Sequence, residues 1–246
     1  MNSGPATYDR IGVDYSAQRR ADPRIAAQIH AALGAASTVL NVGAGTGNYE
    51  PVDRQVTALE PSAEMIRQRP AHSAPVVQGH AENLPFGDSS FDASMAVLTV
   101  HHWTDKLKGL REMRRVTTGP IVIFTFDPDK HEGWLSDYLP ELAKIDAEIM
   151  PPLSAYGEAL GPVDISPVPI PADCSDGFLA SYWRRPEAYL DPRIRSGISS
   201  FWKIANLDAA MARLASDLDS GAWQRKYGHL LDLDEIDAGY RLVTTI

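Results

Sequence analysis

The stretch Val39-Leu40-Asn41-Val42-Gly43-Ala44-Gly45-Thr46-Gly47-Asn48 constrains the fold more than any other part of the chain. A short apolar run breaks into three glycines at alternate positions. Glycine tolerates positive φ and has no Cβ, so a chain leaving a buried strand can turn sharply there and let a ligand lie against bare backbone. Further strands read at about 55–60, 75–79, 91–98 and 119–126, alternating with helices near 47–52, 62–69 and 104–117. That alternation predicts a doubly wound, parallel α/β sheet with its ligand at the carboxyl ends of the strands. Upstream, Asp22-Pro23 reads as a cap and first helical residue, and Gly34 ends the apolar periodicity of Ile25, Ile29 and Leu33.

A glycine-rich turn alone is a weak signal. The dinucleotide fingerprint spaces its glycines G-x-G-x-x-G, whereas Asn48 stands where the third would fall. A triphosphate loop ends in Gly-Lys-Ser/Thr, and no lysine lies between Met1 and Pro70. The second strand, Val56-Thr57-Ala58-Leu59-Glu60, closes on a carboxylate able to accept both hydroxyls of a ribose and to repel a 2′-phosphate. An adenosine compound lacking that phosphate is expected. Next come Gly79-His80-Ala81-Glu82-Asn83-Leu84-Pro85-Phe86, then Ser90-Phe91-Asp92 and the apolar run Ala93 to Val100, closed by His101-His102-Trp103.

From Thr38 to Phe126 these motifs resemble, in order and spacing, the class I S-adenosylmethionine-dependent methyltransferases, in particular their small-molecule type 11 branch. The resemblance implies a mostly parallel seven-stranded sheet and S-adenosylmethionine as cofactor. It further implies that Gly43, Ala44, Gly45 and Gly47 pass under the methionine moiety and that Glu60 holds the ribose. Pro61, Ser62 and Met65 would flank the adenine, Ala81 and Glu82 would lie at its edge, and Val97 and Leu98 would end the fourth strand beneath the cofactor. The family commonly has an acidic residue where Asn41 sits; an amide orients a partner without adding charge attraction, so weaker cofactor binding is expected. In similar proteins an amino-terminal segment folds across the cofactor, which makes Tyr15 and Arg19 cofactor candidates and Tyr8 a candidate on the acceptor side.

Composition narrows the rest. With 246 residues, 44% of them aliphatic or aromatic and 22% charged, one methyltransferase domain is the economical count. Its expected parts are an amino-terminal cap at 1–36, a cofactor-binding core at 37–126, a lid at 127–205 inserted after the fifth strand, and helices with a last strand at 206–246. In the family the last two strands form a hairpin, and the long helical insertion between them here leaves the edge topology open. A net charge of −9 argues against nucleic acid as the substrate. No run of about 20 apolar residues suggests membrane insertion, and the first residues lack a signal-peptide pattern, so a cytoplasmic monomer or homodimer is expected. The single cysteine, Cys174, and the scattered histidines give no metal-ligand spacing.

Methyl transfer from a sulfonium is an in-line displacement, in which alignment alone can supply ~7–11 kcal/mol. A base helps only some acceptors. His101 and His102 follow the fourth strand and are the candidates for that role; if extended geometry persisted, only one would face the site. The alternative is that they pack and hydrogen-bond structurally. Residues 127–205 hold nine of the chain's twenty aromatic residues, among them Trp134, Tyr156, Phe178, Trp183 and Tyr189. That composition predicts an aromatic wall over a small organic acceptor, with Trp134 and Trp183 as substrate candidates beside Trp103. The competing functional reading is a methyltransferase-like protein that binds the cofactor without delivering its methyl, in a structural or cyclase-like role.

Overall fold

The computed structural model describes residues 19–131 and 133–246. Tyr8 and Tyr15 lie outside the described residues. Seven strands form one sheet: β1 Thr38–Val42, β2 Gln55–Glu60, β3 Val76–Gln78, β4 Ala93–Val97, β5 Ile121–Phe126, β6 Val163–Pro167 and β9 Tyr240–Thr245, in the order β3-β2-β1-β4-β5-β9-β6. The first five run parallel, and β9 is antiparallel to both β5 and β6. The edge topology left open by the sequence therefore closes as in the family. Two short strands, β7 Ile170–Pro171 and β8 Glu235–Ile236, pair with each other and hold together the two ends of the insertion that separates β6 from β9.

The sheet is buried on both faces, and the period-2 alternation of its strands sorts the core. Val39, Met95, Val122 and Phe124 face the first helix, α1 Pro23–Ala32, which contributes Ile25 and Ile29. Leu40, Val42, Ala96, Ile121 and Ile123 face the other way, onto the helix Lys106–Val116 and its Leu110 and Met113. The expected cap is present, since the Asp22 carboxylate accepts from Arg24 N–H at 3.0 Å. The helix expected near 47–52 is not formed; turns occupy that stretch. Glycine at 47 and proline at 51 are poor helix residues, and the connection to β2 is too short to need one.

Residues 127–205 are not a single lid. Helix Ser154–Leu160 and strand β6 belong to the sheet layer, and Tyr156 is buried in the core, its hydroxyl 2.9 Å from Thr125 Oγ1. The expectation that Tyr156 lines a pocket is thus corrected. Its position is set by β6 joining the sheet edge, a long-range pairing that composition does not encode. A separate third core lies in the insertions. There Trp134 meets Tyr189 and Trp223 edge-on, with ring centres 5.4 and 5.6 Å apart, and Leu142, Ile145, Ile198 and Phe201 fill around them.

Candidate active site

Strand order reverses between β2 and β4 on either side of β1, the switch point at which a parallel sheet opens a crevice. The glycine loop sits there. Gly43, Gly45 and Gly47 have φ of +69°, +52° and +89°. Gly43 N–H and Ala44 N–H both donate to the Leu59 carbonyl, at 2.8 and 3.0 Å, which folds the loop back over the end of β2. A Cβ on Gly43 would lie 2.0 Å from Thr99 Oγ1, so the loop is pressed against the chain leaving β4.

Glu60 is buried at the end of β2. Its Oε2 accepts from Gly45 N–H at 2.8 Å and its Oε1 from Ser62 N–H at 2.9 Å. These bonds place the carboxylate between the loop and the next helix, Ala63–Arg67, whose cap is Ser62. Met65 reaches back over the loop, its Cε 3.3 Å from a Cβ built on Gly45. Pro61 contributes a carbonyl that accepts from Gln78. Ala81 is buried beside Gly109, and Glu82 accepts from the N–H groups of Thr104 and Asp105, tying this edge of the crevice to the start of the Lys106–Val116 helix.

Sequence reasoning missed the support beneath the loop. Asn41 donates to Glu50 Oε1 at 3.2 Å, and Arg69 grips both Glu50 oxygens at 2.7 and 2.8 Å while also donating to the carbonyls of Gly45 and Ala74. Both side chains of that ion pair are buried. A negative charge is thus held one residue contact away from Asn41, where an aspartate at 41 would have faced Glu50 directly. Neither partner stands in a motif, and the two lie on opposite sides of β2 in the sequence.

The chain beyond β4 does not stay extended. Val97 ends the strand, Leu98 takes a φ of +49°, and Val100–His102 form a 3₁₀ turn that brings the two imidazoles together, ring centres 3.9 Å apart and planes tilted by 50°. Positive φ at a leucine is a local strain of the kind held at ligand sites. His101, Leu98 and Arg19 border a first cavity of about 550 Å³, solvent mouth included, together with Phe126, Phe178 and Tyr240. Arg19 is held there by Asp176, at 2.6 and 3.1 Å, an oxygen of which also accepts from Tyr49. Trp134 and Trp183 border a second cavity that shares Phe126, Asp146, Leu179 and Tyr240 with the first. Both indole N–H groups are donated to main-chain carbonyls, at 2.8 Å to Trp183 and 3.0 Å to Ile170, so these two residues offer only ring surface. Trp103 borders neither cavity. It is wedged against Gly109, where a Cβ would come within 2.5 Å of its ring.

Burial lowers the pKa of both histidines, with Lys203, Lys106 and Arg19 adding to it; His102 is brought down to about 3, and His101 also feels His102. Both rings are therefore neutral at neutral pH. In the unfolded chain they take up protons near 6.5, so the folded state binds fewer protons below that value and loses stability as pH falls. Each histidine should remove up to ~1.4 kcal/mol per pH unit between about 6.5 and its folded pKa. Asp146 acts in the opposite sense below about 6. Urea unfolding at pH 7 and pH 5 should show the slope flattened in a His101→Gln/His102→Gln variant. Equal slopes in wild type and variant would remove the assignment.

The residues 40–120 match the family model described as Methyltransferase domain. A methyltransferase of an antibiotic biosynthesis pathway from Anabaena variabilis is 37% identical, with the match covering 93% of this chain and 99% of that one at a TM-score of 0.87. The chain belongs to the S-adenosylmethionine-dependent methyltransferases. Among curated relatives, the malonyl-[acyl-carrier protein] O-methyltransferase of Pectobacterium atrosepticum is 38% identical over 125 residues, covering 48% of this chain and 47% of that protein. The demethylmenaquinone methyltransferase of Paenarthrobacter aurescens is 33% identical over 131 residues, covering 49% and 51%. This methyltransferase thus spans about half the length of those curated relatives.

The cofactor of the family fits the residues present. Three positive-φ glycines leave a cradle that any Cβ would narrow, and Glu60 brings carboxylate oxygens, each with two lone pairs, to the end of β2. No helix among the described residues is long and apolar enough to cross a membrane.

Proposed function

We propose that the protein transfers a methyl group from S-adenosylmethionine to a small, largely apolar organic acceptor seated in the paired cavities. The observation that carries this reading is the continuity of loop and cavity. Thr99 touches Gly43, while Leu98 and His101 on either side of it border the first cavity. When bound, the cofactor supplies an electrophilic methyl on a sulfonium sulfur. Glu60 would hold the ribose hydroxyls, Gly43 to Gly47 would run beneath the methionine moiety, Pro61, Ser62 and Met65 would flank the adenine with Ala81 and Glu82 at its edge, and Arg19 would stand toward the carboxylate end. The aromatic walls exclude water and align the acceptor, which for an in-line displacement is the main requirement.

His101 acts as a hydrogen-bond acceptor that orients the reacting group. Moving a proton from a phenol of pKa about 10 onto an imidazole held so far below 6.5 costs several kcal/mol at ~1.4 per unit, so full proton transfer is disfavoured. Neutral rings also spare the sulfonium a second positive charge.

Titration calorimetry tests the assignment. Glu60→Ala should weaken S-adenosylmethionine binding ~10-fold or more, since hydrogen bonds to a charged acceptor contribute ~1.5–3 kcal/mol. Unchanged affinity in a folded variant would sink the ribose assignment.

A further inference from the structure

Asp146 lies on the helix Glu141–Ile149, at a position where the apolar stripe of Leu142, Ile145 and Ile149 leads one to expect a hydrophobe. It is 3% exposed. Its carboxylate makes no hydrogen bond among the described residues; the nearest recorded partner is His131 Nδ1 at 3.9 Å, and His131 Nε2 is itself buried without a partner. Buried polar groups are almost always paired, because an unpaired charge out of water costs several kcal/mol. Nothing in the packing explains why this one is kept.

Its surroundings suggest a ligand. Asp146 borders both cavities, whose shared walls are otherwise Phe126, Leu179 and Tyr240. Burial raises its carboxyl to about 6, against the opposing pull of His131 and Lys203, so at neutral pH it is an anion. Two cationic residues border this space, Arg19, which Asp176 engages in two bonds, and Lys130 in the second cavity, while His101 is neutral; neither cation bonds the Asp146 carboxylate. Among the described residues Asp146 is thus the one carboxylate bordering either cavity, and it faces that space without a hydrogen-bond donor of its own.

We propose that Asp146, with His131 behind it, is the polar anchor of the acceptor site, and that the acceptor is an aromatic or aliphatic molecule bearing a basic nitrogen whose N–H groups Asp146 accepts. This rests on the reading of the paired cavities as the acceptor site. A cationic N–H supplies the hydrogen-bond donor that Asp146 lacks, in a bond strengthened by charge on both partners. A neutral hydroxyl would make the weaker, uncharged bond, and a carboxylate would be repelled.

The test uses three probes of one shape, benzylamine, benzyl alcohol and benzoate, each titrated into the full chain saturated with S-adenosylhomocysteine and followed by ligand-observed NMR. Benzylamine should bind saturably and at least tenfold more tightly than the other two, corresponding to one charge-assisted hydrogen bond. Asp146→Asn should erase that preference while S-adenosylhomocysteine affinity by calorimetry stays unchanged. Equal binding of all three probes, preference for benzoate or the alcohol, no binding of benzylamine, or an undiminished preference in Asp146→Asn would each overturn the proposal. The probe comparison needs no variant, so a misfolded Asp146→Asn leaves it decisive. Failure of wild type to bind S-adenosylhomocysteine would instead strike the cofactor reading, which keeps the two failures distinct.

Discussion

Gly43→Ala is expected to abolish measurable S-adenosylmethionine binding and to cost ~2–5 kcal/mol of stability, the sum of a positive-φ penalty and an overpacking penalty. The added methyl would stand 2.0 Å from Thr99 Oγ1 and 2.9 Å from its Cβ, on a backbone with φ of +69°. Something must move, and what moves is the contact joining the loop to the end of β4. Gly34 provides the control. It has a similar φ of +60°, but a Cβ there meets nothing within 4 Å, so Gly34→Ala should lose only ~1–2 kcal/mol and bind cofactor normally. Adding Thr99→Ala to Gly43→Ala should recover the steric part and leave the backbone part. Equal losses at 43 and 34 in chemical denaturation would show that the close approach to Thr99 is not what glycine 43 provides.

Removal of Glu50 should be the other large effect. Glu50→Ala leaves the Arg69 guanidinium buried against the carbonyls of Gly45 and Ala74 with no counter-charge, and takes the acceptor from Asn41. Breaking a buried pair from one side costs ~3–5 kcal/mol, whereas replacing both members by hydrophobes of similar size is often neutral. A Glu50→Leu/Arg69→Met double variant should therefore be more stable than Glu50→Ala, yet bind cofactor poorly, because Arg69 also holds the Gly45 carbonyl and with it the loop. If the single and double variants are equally stable by urea unfolding, the pair is not paying a desolvation cost. If the double variant binds normally, the loop does not depend on Arg69.

Much of the frame was legible in the chain because it is local. Alternating strands and helices, a glycine-broken strand end, a carboxylate closing the second strand and a cap at Asp22 all depend on a few consecutive residues whose geometry has few solutions. The same locality explains the errors. Residues 47–52, helical by sequence pattern, are consumed in turns, and Tyr156, a pocket aromatic by composition, fills core. Aromatic content announces burial; it does not announce against which surface. Asp146 is visible in the sequence as the polar member of an apolar stripe at positions 142, 145 and 149, but its burial depends on what that stripe packs against.

What the sequence determined by itself is the set of short-range commitments: the α/β class, the glycine-broken loop after β1 and the carboxylate that ends β2. Tertiary structure decided everything that depends on residues far apart in the chain meeting. It brought Arg69 under Glu50, set Thr99 against Gly43, set the His101 ring against His102 through the 3₁₀ turn that follows β4, and placed β9 between β5 and β6 so that Tyr240 borders both cavities. The physical reason is that a turn or a cap is fixed by backbone sterics over a few residues, while the partner of a buried charge is chosen only when the sheet has assembled and water has been excluded.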